Sequence, residues 1–290
     1  TGANGFLGSH FLRFYPNAIV FDRNRYDISD IQSFKDLIAD IDVIVHLAGV
    51  NSGTSYNPTV AELSDGNMFV TSQLLRAIRA FNKKSPQFIF MSSIHVYDKS
   101  SAIFTEDLRP MPSTPYGSMK YAQELLITQA AESGIIRSMI FRAGHIYGPK
   151  SKPFYNSAVA TICHKAFNSE SVDLYGNGHV EFDLTYVDDV MKYISLKKKK
   201  NIQAPVTILN LGSGQTHTIS HIIDVLETVI KKSISRNLVT SPIQKNSISI
   251  EKLVQHLGSI KYTPLQDGLT LQMASLMVDK PQRETTLSTN

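Results

Sequence analysis

The sequence predicts an α/β protein with a doubly wound parallel sheet and a smaller C-terminal lobe. Short apolar runs alternate with segments of helical periodicity through the first two thirds of the chain. This alternation is typical of parallel strands joined by crossover helices. A glycine-rich segment, residues 1–8 with the letters TGANGFLG, opens the chain. Such a segment is typical of the turn that joins a buried strand to a helix in these sheets.

The predicted strands are apolar throughout, as strands covered on both faces should be. They are residues 18–21, 43–47, 88–91 and 138–141. The segments between them carry apolar residues at spacings of three and four, which is helical periodicity. These predicted helices are residues 31–39, 68–81 and 116–132. Because no strand precedes the glycine-rich segment, we expect the first strand, in the middle of the sheet, to be missing from this fragment.

The alternation becomes less regular after Pro149. The predicted elements there are a helix at 157–167, a turn at 176–178, a helix at 187–196, a strand at 206–211 and a helix at 219–231. We expect a dinucleotide-binding domain and a substrate-binding lobe. The domain would comprise residues 1–149 plus about 182–211, and the lobe 150–181 plus about 212–278. The polar residues 279–290 are expected to form a frayed tail.

The composition limits the classes of protein to which the chain can belong. With 290 residues, 42% of them apolar, the chain can bury a large core. Its net charge of +4 comes partly from four consecutive lysines, residues 197–200, which we interpret as a solvated loop rather than a nucleic-acid surface. Cys163 is the one cysteine, so no internal disulfide is expected, and no run approaches the ~18 apolar residues of a membrane span. We expect a cytoplasmic protein without nucleic-acid or membrane partners.

The glycine-rich segment is a candidate site for a dinucleotide. Gly2, Gly5 and Gly8 lie three apart ahead of an apolar segment, so backbone amides at a helix N-terminus can approach a pyrophosphate closely. Asp22 ends the next predicted strand, where a carboxylate binds the adenosine ribose and repels a 2′-phosphate, which favours NAD. Arg23 follows it and would instead bind a 2′-phosphate. The choice between NAD and NADP therefore stays open.

A tyrosine and a lysine form the candidate catalytic centre. Tyr116 and Lys120 lie four apart and therefore on one face of a helix. Tyrosine titrates near pH ~10, so we expect the ammonium and a positive nicotinamide to lower the Tyr116 pKa until it exchanges a proton with a hydroxyl group. Ser92 and Ser93 follow a predicted strand, and the C-terminal ends of parallel strands face the ligand crevice.

These motifs, in this order and spacing, resemble the extended short-chain dehydrogenase/reductases and, within them, the NAD-dependent epimerase/dehydratase family. The resemblance extends to about residue 269 and includes the letters HLAG at 46–49, YGP at 147–149 and TYVDDV at 185–190. It implies a Rossmann-type fold, NAD or NADP as cofactor and a nucleotide-sugar substrate. It also implies that Tyr116 is the acid/base and that Lys120 holds the nicotinamide ribose, while Ser93 binds the reacting sugar oxygen. The implied cofactor contacts are Gly2, Asn4, Gly5, Phe6, Leu7, Gly8, Asp22, Arg23, Asp27, Ile28, Leu47, Ala48, Gly49, Tyr116 and Lys120.

Two features of the sequence favour one reaction among those that the resemblance implies. The epimerases usually insert a helix and a strand between Asp22 and the pair Asp27-Ile28, and the shorter segment here is similar to the nucleotide 4-keto-sugar reductases. Residues 152–163 also resemble a segment of the capsular-polysaccharide UDP-2-acetamido-2,6-dideoxy-hexulose reductases, although nothing here resembles the cupin domain of those enzymes. We expect a 4-keto (deoxy)sugar reductase in surface-polysaccharide precursor synthesis.

Three alternatives accompany this expectation. A nucleotide-sugar 4-epimerase, similar to UDP-glucose 4-epimerase, is the nearest. A non-catalytic dinucleotide-binding protein belongs to another class, and the intact set of Ser93, Tyr116 and Lys120 argues against it. Dehydration is the least favoured, because Ile94-His95 occupies the position of the dehydratases' Asp-Glu pair.

Substrate contacts are expected from Ser93, His95, His145 and Asn156. His145 lies where many epimerases have Asn, and Phe182 where they have a phosphate-binding Arg, so nucleotide recognition must differ in detail. The candidates for the missing positive charge are Lys150, Lys152 and Lys165.

Two further expectations concern metals and assembly. His217 and His221 lie four apart, near Asp224, but Thr218 is expected to cap the helix that follows, and a metal site is therefore disfavoured. The resemblance allows a homodimer, because the family often dimerises through helices equivalent to residues 68–81 and 116–132.

Overall fold

The computed structural model describes residues 1–51, 57–155, 157–194, 204–243, 245 and 247–278. Within them the strands are β1 (Val43–His46), β2 (Gln87–Ser93), β3 (Ile103–Phe104), β4 (Arg137–Ala143), β5 (His145–Tyr147), β6 (Val172–Tyr175), β7 (Glu181–Tyr186), β8 (Val206–Leu211), β9 (Thr216–Thr218), β10 (Arg236–Val239) and β11 (Ser247–Ile248). The α-helices are α1 (Phe6–Phe14), α2 (Lys35–Ala39), α3 (Val60–Leu63), α4 (Val70–Phe81), α5 (Pro115–Glu132), α6 (Ala158–Phe167), α7 (Val187–Ile194), α8 (Ile219–Ile230), α9 (Glu251–Leu257) and α10 (Leu265–Val278). Shorter helical turns are Ile31–Phe34, Ile94–Val96 and Gly176–Gly178, and Ser64–Phe69 is a π-helix.

Four parallel strands form the central sheet in the order β1-β2-β4-β8. The pairing of β2 with β4 runs from Gln87 opposite Arg137 to Ser93 opposite Ala143. Helix α4 connects β1 to β2, and α5 connects β2 to β4. The structure confirms the predicted α/β class, and the carboxyl ends of the strands meet at one edge of the sheet, where α/β proteins bind ligands.

Two apolar clusters cover the two faces of this sheet. Phe88 packs on one face with Ile127 of α5, and Ile89 packs on the other with Phe11 of α1 and Val190 of α7. Successive residues of a strand point to opposite faces, so β2 must be apolar at consecutive positions to bury both sides. This explains why the strand pattern showed no alternation.

The C-terminal part adds smaller sheets around the same core. β7 lies between β5, which is parallel to it, and β9, which is antiparallel. β6 pairs with β10, and β3 with β11. The larger apolar cluster continues from the central sheet into α6, α8 and α10. Because one cluster runs through both predicted units, the division into a dinucleotide-binding domain and a substrate lobe stays a prediction.

The predicted strand at 18–21 is wrong, because these residues carry no strand pairing. An apolar groove of about 590 Å³ lies between them and β1, and Ile19 is 71% exposed. A strand forms only when a neighbour pairs its backbone groups, which an apolar run alone cannot guarantee. The ladder of β1 is instead extended by Thr1, whose N–H donates to the Val45 carbonyl at 2.9 Å and whose carbonyl accepts from Leu47 N at 3.3 Å.

Most other boundaries differ slightly from the predictions. The predicted helix 31–39 is a 3-10 turn followed by α2, and the helix predicted at 68–81 begins within the π-helix and continues as α4. Helix α7 is described as far as Ile194, and residues 195–196 lie outside the described part of the chain, as do 197–200 and the predicted tail 279–290. Among the described helices, none has both the length and the apolar character that a bilayer crossing requires.

Candidate active site

A cavity of about 960 Å³ opens at the carboxyl ends of β1, β2 and β4. The glycine-rich segment bounds it on one side and the start of α6 on the other. The sequence-predicted residues that line it are Gly2, Asn4, Gly5, Phe6, Leu7, Gly8, Asp22, Arg23, Ile28, Leu47, Ala48, Gly49, Ser93, His95, Tyr116, Lys120 and His145. The structure therefore brings the predicted catalytic residues and all the predicted cofactor residues except Asp27 to one place, whereas Asn156 lies outside the described residues.

The glycines allow close backbone approach at the start of the cavity. Gly2 has a φ of +75°, and a Cβ there would lie 2.5 Å from the Ala48 nitrogen. A Cβ on Gly8 would lie 2.0 Å from the Gly2 carbonyl oxygen. Helix α1 begins at Phe6 with Gly5 as its N-cap and without a side-chain cap. This geometry fits a pyrophosphate, which backbone amides at a helix N-terminus can bind.

Asp22 and Asp27, which follow the first predicted strand, have different surroundings. Asp22 lines the cavity beside Arg23, and its Oδ1 accepts a hydrogen bond from Asn24 N at 3.0 Å. Asp27, also an expected cofactor contact, is not among the lining residues. Its Oδ1 accepts hydrogen bonds from the Ser29 amide and hydroxyl at 2.8 and 2.7 Å, which lower the Asp27 pKa. In this structure Asp27 shapes a turn rather than the cavity wall.

Helix α5 places Tyr116 at the cavity by docking its N-terminus on the turn that follows β2. Thr114 caps the helix by accepting from Gly117 N at 3.1 Å, and Pro115 occupies the first turn, which suits a residue without an N–H. A Cβ on Gly117 would lie 2.2 Å from the His95 carbonyl oxygen. The glycine after Tyr116 is therefore required for this close approach, which brings the rings of Tyr116 and His95 to 5.8 Å between centroids.

The electrostatics of Tyr116 differ from the prediction. Burial raises the pKa of its phenol well above the usual value, the nearby phenol of Tyr155 raises it further, and only the Ser93 hydroxyl, in hydrogen-bonding reach, lowers it. We expected Lys120 to lower this pKa, but its Nζ lies 5.9 Å from the Tyr116 ring centroid. Desolvation is the largest cause of the shift.

Lys120 is held by the strand that carries Ser93. Its side chain is buried, its Nζ donates to the Met91 carbonyl at 3.0 Å, and it lies 4.8 Å from the Phe90 ring centroid. Burial lowers its pKa to about 8, although Glu124 opposes the shift. A Cβ on Gly49 would lie 3.5 Å from the Lys120 Nζ, so the ammonium reaches the loop that follows β1.

A buried polar network that the sequence did not predict supports that loop. Asn67, in the π-helix, donates from Nδ2 to the Val50 carbonyl at 3.0 Å and accepts from Val50 N at 3.2 Å. His46 Nε2 lies 2.9 Å from Thr71 Oγ1. Burial lowers the His46 pKa well below its usual value, and the nearby Lys120 adds to the effect. The available signal was the spacing of four between Asn67 and Thr71, which puts two polar residues on one side of the chain at the start of the predicted helix.

A second unpredicted network lies beneath Ser93. Arg142 forms a buried ion pair with Glu124, with Nη2 2.7 Å from Oε2. Ser92 Oγ donates to Glu124 Oε1 at 2.5 Å, and Arg142 Nη1 donates to Tyr97 Oη at 3.1 Å. These contacts connect α5 to the carboxyl ends of β2 and β4, and so fix the position of Tyr116 relative to Ser93.

Two histidines face the part of the cavity next to Tyr116. Burial lowers the pKa of His145 to about 4, and the nearby His95 adds to the shift. The His95 pKa is lowered as well, again mainly by burial. His145 Nδ1 has no hydrogen-bond partner within the described part of the chain. Phe182, the other departure from the usual epimerase pattern, packs edge-on against His145 at 4.7 Å. Both imidazoles are neutral at pH 7.

The three candidate lysines differ in whether they line the cavity. Lys165 Nζ is 2.8 Å from Asp173 Oδ2, and Lys165 is not among the lining residues. Lys150 does not line the cavity either, whereas Lys152 does. Tyr155, which the sequence did not single out, lines it too. Of the three candidates, Lys152 is therefore the one placed to meet a ligand.

The contacts of the remaining histidine pair are structural. The rings of His217 and His221 stack at 5.3 Å, and Thr218 Oγ1 accepts from His221 N at 3.1 Å, which confirms the predicted cap. Among the described residues, no group of three or more His, Cys, Asp or Glu side chains is arranged to hold a metal ion.

The parallel sheet, the glycine-rich turn and the grouping of Ser93, Tyr116 and Lys120 define an extended short-chain dehydrogenase/reductase. The sequence profile of the NAD dependent epimerase/dehydratase family matches residues 1–212, and the chain belongs to this family.

Known members of the family include both reductases and epimerases. A UDP-2-acetamido-2,6-beta-L-arabino-hexul-4-ose reductase from Pseudomonas aeruginosa is 29% identical over 197 residues, which are 66% of this chain and 46% of that protein, so this chain spans about half the length of that relative. The structure of UDP-glucuronic acid 4-epimerase from Bacillus cereus, in complex with UDP-glucuronic acid and NAD, is 26% identical and superposes with a TM-score of 0.80 over 96% of this chain and 98% of the other. RMD from Pseudomonas aeruginosa, complexed with NADPH, shares the fold with a TM-score of 0.80 at 24% identity, over 95% and 96% of the two chains.

Proposed function

We propose that the protein is an NAD(P)-dependent oxidoreductase that reduces a 4-keto group on a nucleotide-activated (deoxy)sugar. One observation carries the proposal: Ser93, Tyr116 and Lys120 line the same cavity as the glycine-rich segment. The cavity, at about 960 Å³, is at the upper end of the usual size for ligand sites. Relatives that act on nucleotide sugars, among them the hexul-4-ose reductase, support the substrate class.

The residues of one side of the cavity fit a dinucleotide. The backbone around Gly2 and Gly8 leaves no room for side chains, so a pyrophosphate can lie against the start of α1. Asp22 and Arg23 line the cavity and would contact the adenosine ribose. Lys120, near the loop that follows β1, would hold the nicotinamide ribose. The bound cofactor would supply the hydride that reaches the sugar carbon.

Tyr116 would donate the proton that completes the reduction. The phenol, whose pKa burial raises, can act as a general acid towards the oxygen of the reduced carbonyl group. Ser93, in hydrogen-bonding reach of Tyr116, would orient that oxygen. In the direction of reduction the tyrosine would start as the acid.

The part of the cavity formed by the C-terminal residues would hold the nucleotide sugar. His95 and His145, neutral because of burial, would contact the sugar through hydrogen bonds rather than charge. Lys152 would bring a positive charge towards the diphosphate. In this proposal residues 150–181 plus about 212–278 form the substrate lobe, and the product is a surface-polysaccharide precursor.

A nucleotide-sugar 4-epimerase is the second candidate, and the likeness to the UDP-glucuronic acid 4-epimerase structure favours it. The two reactions differ in cofactor use, since an epimerase regenerates its cofactor while a reductase consumes it. The test is incubation of the protein with NADH or NADPH and UDP-, dTDP- and GDP-linked 4-keto sugars. Loss of one reduced cofactor per product supports the reductase. A second incubation contains NAD and either UDP-glucose or UDP-glucuronic acid, and conversion to the 4-epimer without net change in cofactor contradicts the reductase.

The remaining expectations stay predictions. A non-catalytic role is contradicted if any of these sugars is turned over. A homodimer formed through the helices predicted at 68–81 and 116–132 would bury their exposed apolar side chains. Examples are Phe69 and Leu125, which are 40% and 51% exposed. A cytoplasmic location also stays a prediction.

A further inference from the structure

Tyr155 connects two walls of the cavity. It lies in the segment between β5 and α6 and is a lining residue. Its phenolic oxygen accepts a hydrogen bond from the backbone N–H of Asn51 at 3.3 Å. Asn51 follows β1 and lines the same cavity. The phenol therefore joins the loop on the cofactor side to the segment on the substrate side.

The backbone before Tyr155 is held in an unusual conformation. Phe154 has a φ of 59°, in the left-handed region that side chains other than glycine rarely adopt. Phe154 N donates to Thr161 Oγ1 at 2.8 Å, and its ring packs edge-on against His164 at 5.6 Å. Both partners belong to α6. These contacts fix Phe154 on the helix, so the chain turns at this residue and Tyr155 faces the cavity.

Two cavity residues lie close to the Tyr155 ring. Lys152 Nζ lies 5.8 Å from the centroid of this ring, which is the range of a cation–π interaction. Tyr155 is also near enough to Tyr116 to affect its ionisation. The bridge to Asn51 is thus next to the proposed acid and next to the one candidate lysine that lines the cavity.

We propose that Tyr155 is a positioning residue that closes the cavity over the cofactor and the sugar, and that its hydrogen bond to Asn51 limits how fast they dissociate. The inference rests on the proposed function, but it concerns a residue outside the set of Ser93, Tyr116 and Lys120. Replacing the phenol with a phenyl ring removes the bridge and keeps the ring in the cavity. The rate of ligand release is therefore expected to change without loss of the fold.

The experiment compares NADH release from the full chain and from Tyr155→Phe. Stopped-flow fluorescence follows the displacement of bound NADH by excess NAD. We expect dissociation about fivefold faster in Tyr155→Phe, the effect of one hydrogen bond, with an unchanged melting temperature. Tyr155→Ala, which also removes the ring, should release NADH faster still. The control is Tyr175→Phe, at a tyrosine of β6 that is 53% exposed, and it should keep the wild-type rate.

Equal NADH release from the wild type and Tyr155→Phe would overturn the proposal and leave the proposed function intact. A wild type that binds neither NADH nor NADPH would overturn the proposed function, and this inference with it. With a nucleotide sugar that is turned over, Tyr155→Phe should raise KM more than it changes kcat, because the residue retains ligands and takes no part in proton transfer. A lowered kcat at unchanged KM would contradict the positioning role.

Discussion

Lys120 Nζ donates a hydrogen bond of 3.0 Å to the carbonyl of Met91, two residues before Ser93. The ammonium is thereby attached to the strand that carries the serine, not to the phenol of Tyr116. The hydrogen bond keeps a buried cation in place, but it does not remove the cost of burying the charge, since the Lys120 pKa is lowered to about 8.

Lys120 should therefore make the unfolding free energy depend on alkaline pH. Its pKa is about 8 in the folded state against 10.5 for the free group, so the unfolded chain binds more protons between these values and stability rises with pH there. At pH 7 the charged side chain opposes folding, and Lys120→Met should be more stable than the wild type by about 3 kcal/mol. Urea denaturation at pH 7 and pH 10 measures both effects. A Lys120→Met variant less stable than the wild type at pH 7 would show that the Met91 contact outweighs burial.

The ion pair between Glu124 and Arg142 should be essential for stability. Both side chains are buried, so Glu124→Gln leaves an uncompensated guanidinium and should lower the unfolding free energy by about 3–5 kcal/mol. The matched control is Glu132→Gln, at an exposed carboxylate on the same helix whose contact is with Gln129, and it should change stability by less than about 0.5 kcal/mol. Denaturant titration of both variants measures the difference. Similar losses in the two variants would contradict the importance of the buried pair.

His145 should destabilise the fold in acid. Its pKa is about 4 in the folded state and 6.5 in the free group, so the unfolded chain binds the proton first as the pH falls below about 6.5. This residue alone should reduce the unfolding free energy by about 2 kcal/mol between pH 7 and pH 5. His145→Gln should flatten the decline over this interval, whereas His179→Gln, at an exposed histidine, should not. An unchanged slope in His145→Gln would mean that the imidazole is not kept neutral by burial.

Asp22 should control the choice of cofactor. A carboxylate at the adenosine ribose repels the 2′-phosphate of NADP, so Asp22→Asn should improve the affinity for NADPH relative to NADH by about tenfold. Fluorescence titration of the two reduced cofactors gives the ratio. Asp36→Asn, at an exposed position of α2, serves as the control for a general change in charge. If the ratio moves equally in both variants, Asp22 does not contact the ribose.

The sheet and the grouping of Ser93, Tyr116 and Lys120 at one cavity were predictable because their signals are local. Tyr116 and Lys120 share a helix face at a spacing of four, and Ser93 follows an apolar run, so each is placed by its own segment. The strand at 18–21 was wrong because pairing depends on a neighbour that the sequence pattern does not include. Lys165 was a poor candidate for ligand binding because it already forms an ion pair with Asp173. The sequence did not show this pair, since the two residues meet only in the folded chain.

The residues that support the loop after β1 could not be found from the sequence, because their contacts form only in the folded chain. Asn67 and Tyr155 bind backbone groups of the loop after β1, at Val50 and Asn51, and these contacts exist only after α3, α4 and the C-terminal part have packed. The shift in the Tyr116 pKa likewise comes from burial, which depends on the assembled cavity and not on the spacing to Lys120.

The central claim, hydride and proton transfer at a sugar carbon with Tyr116 as the acid, is tested most directly by isotope transfer. The protein is incubated with NADH or NADPH deuterated at nicotinamide C4 and a 4-keto nucleotide sugar, and deuterium at sugar C4 is followed by NMR. We expect label at C4 with the wild type, a rate about 100-fold or more lower with Tyr116→Phe, and an unchanged rate with Tyr121→Phe, the neighbouring tyrosine on α5. Equal label transfer by the wild type and Tyr116→Phe would contradict the assignment.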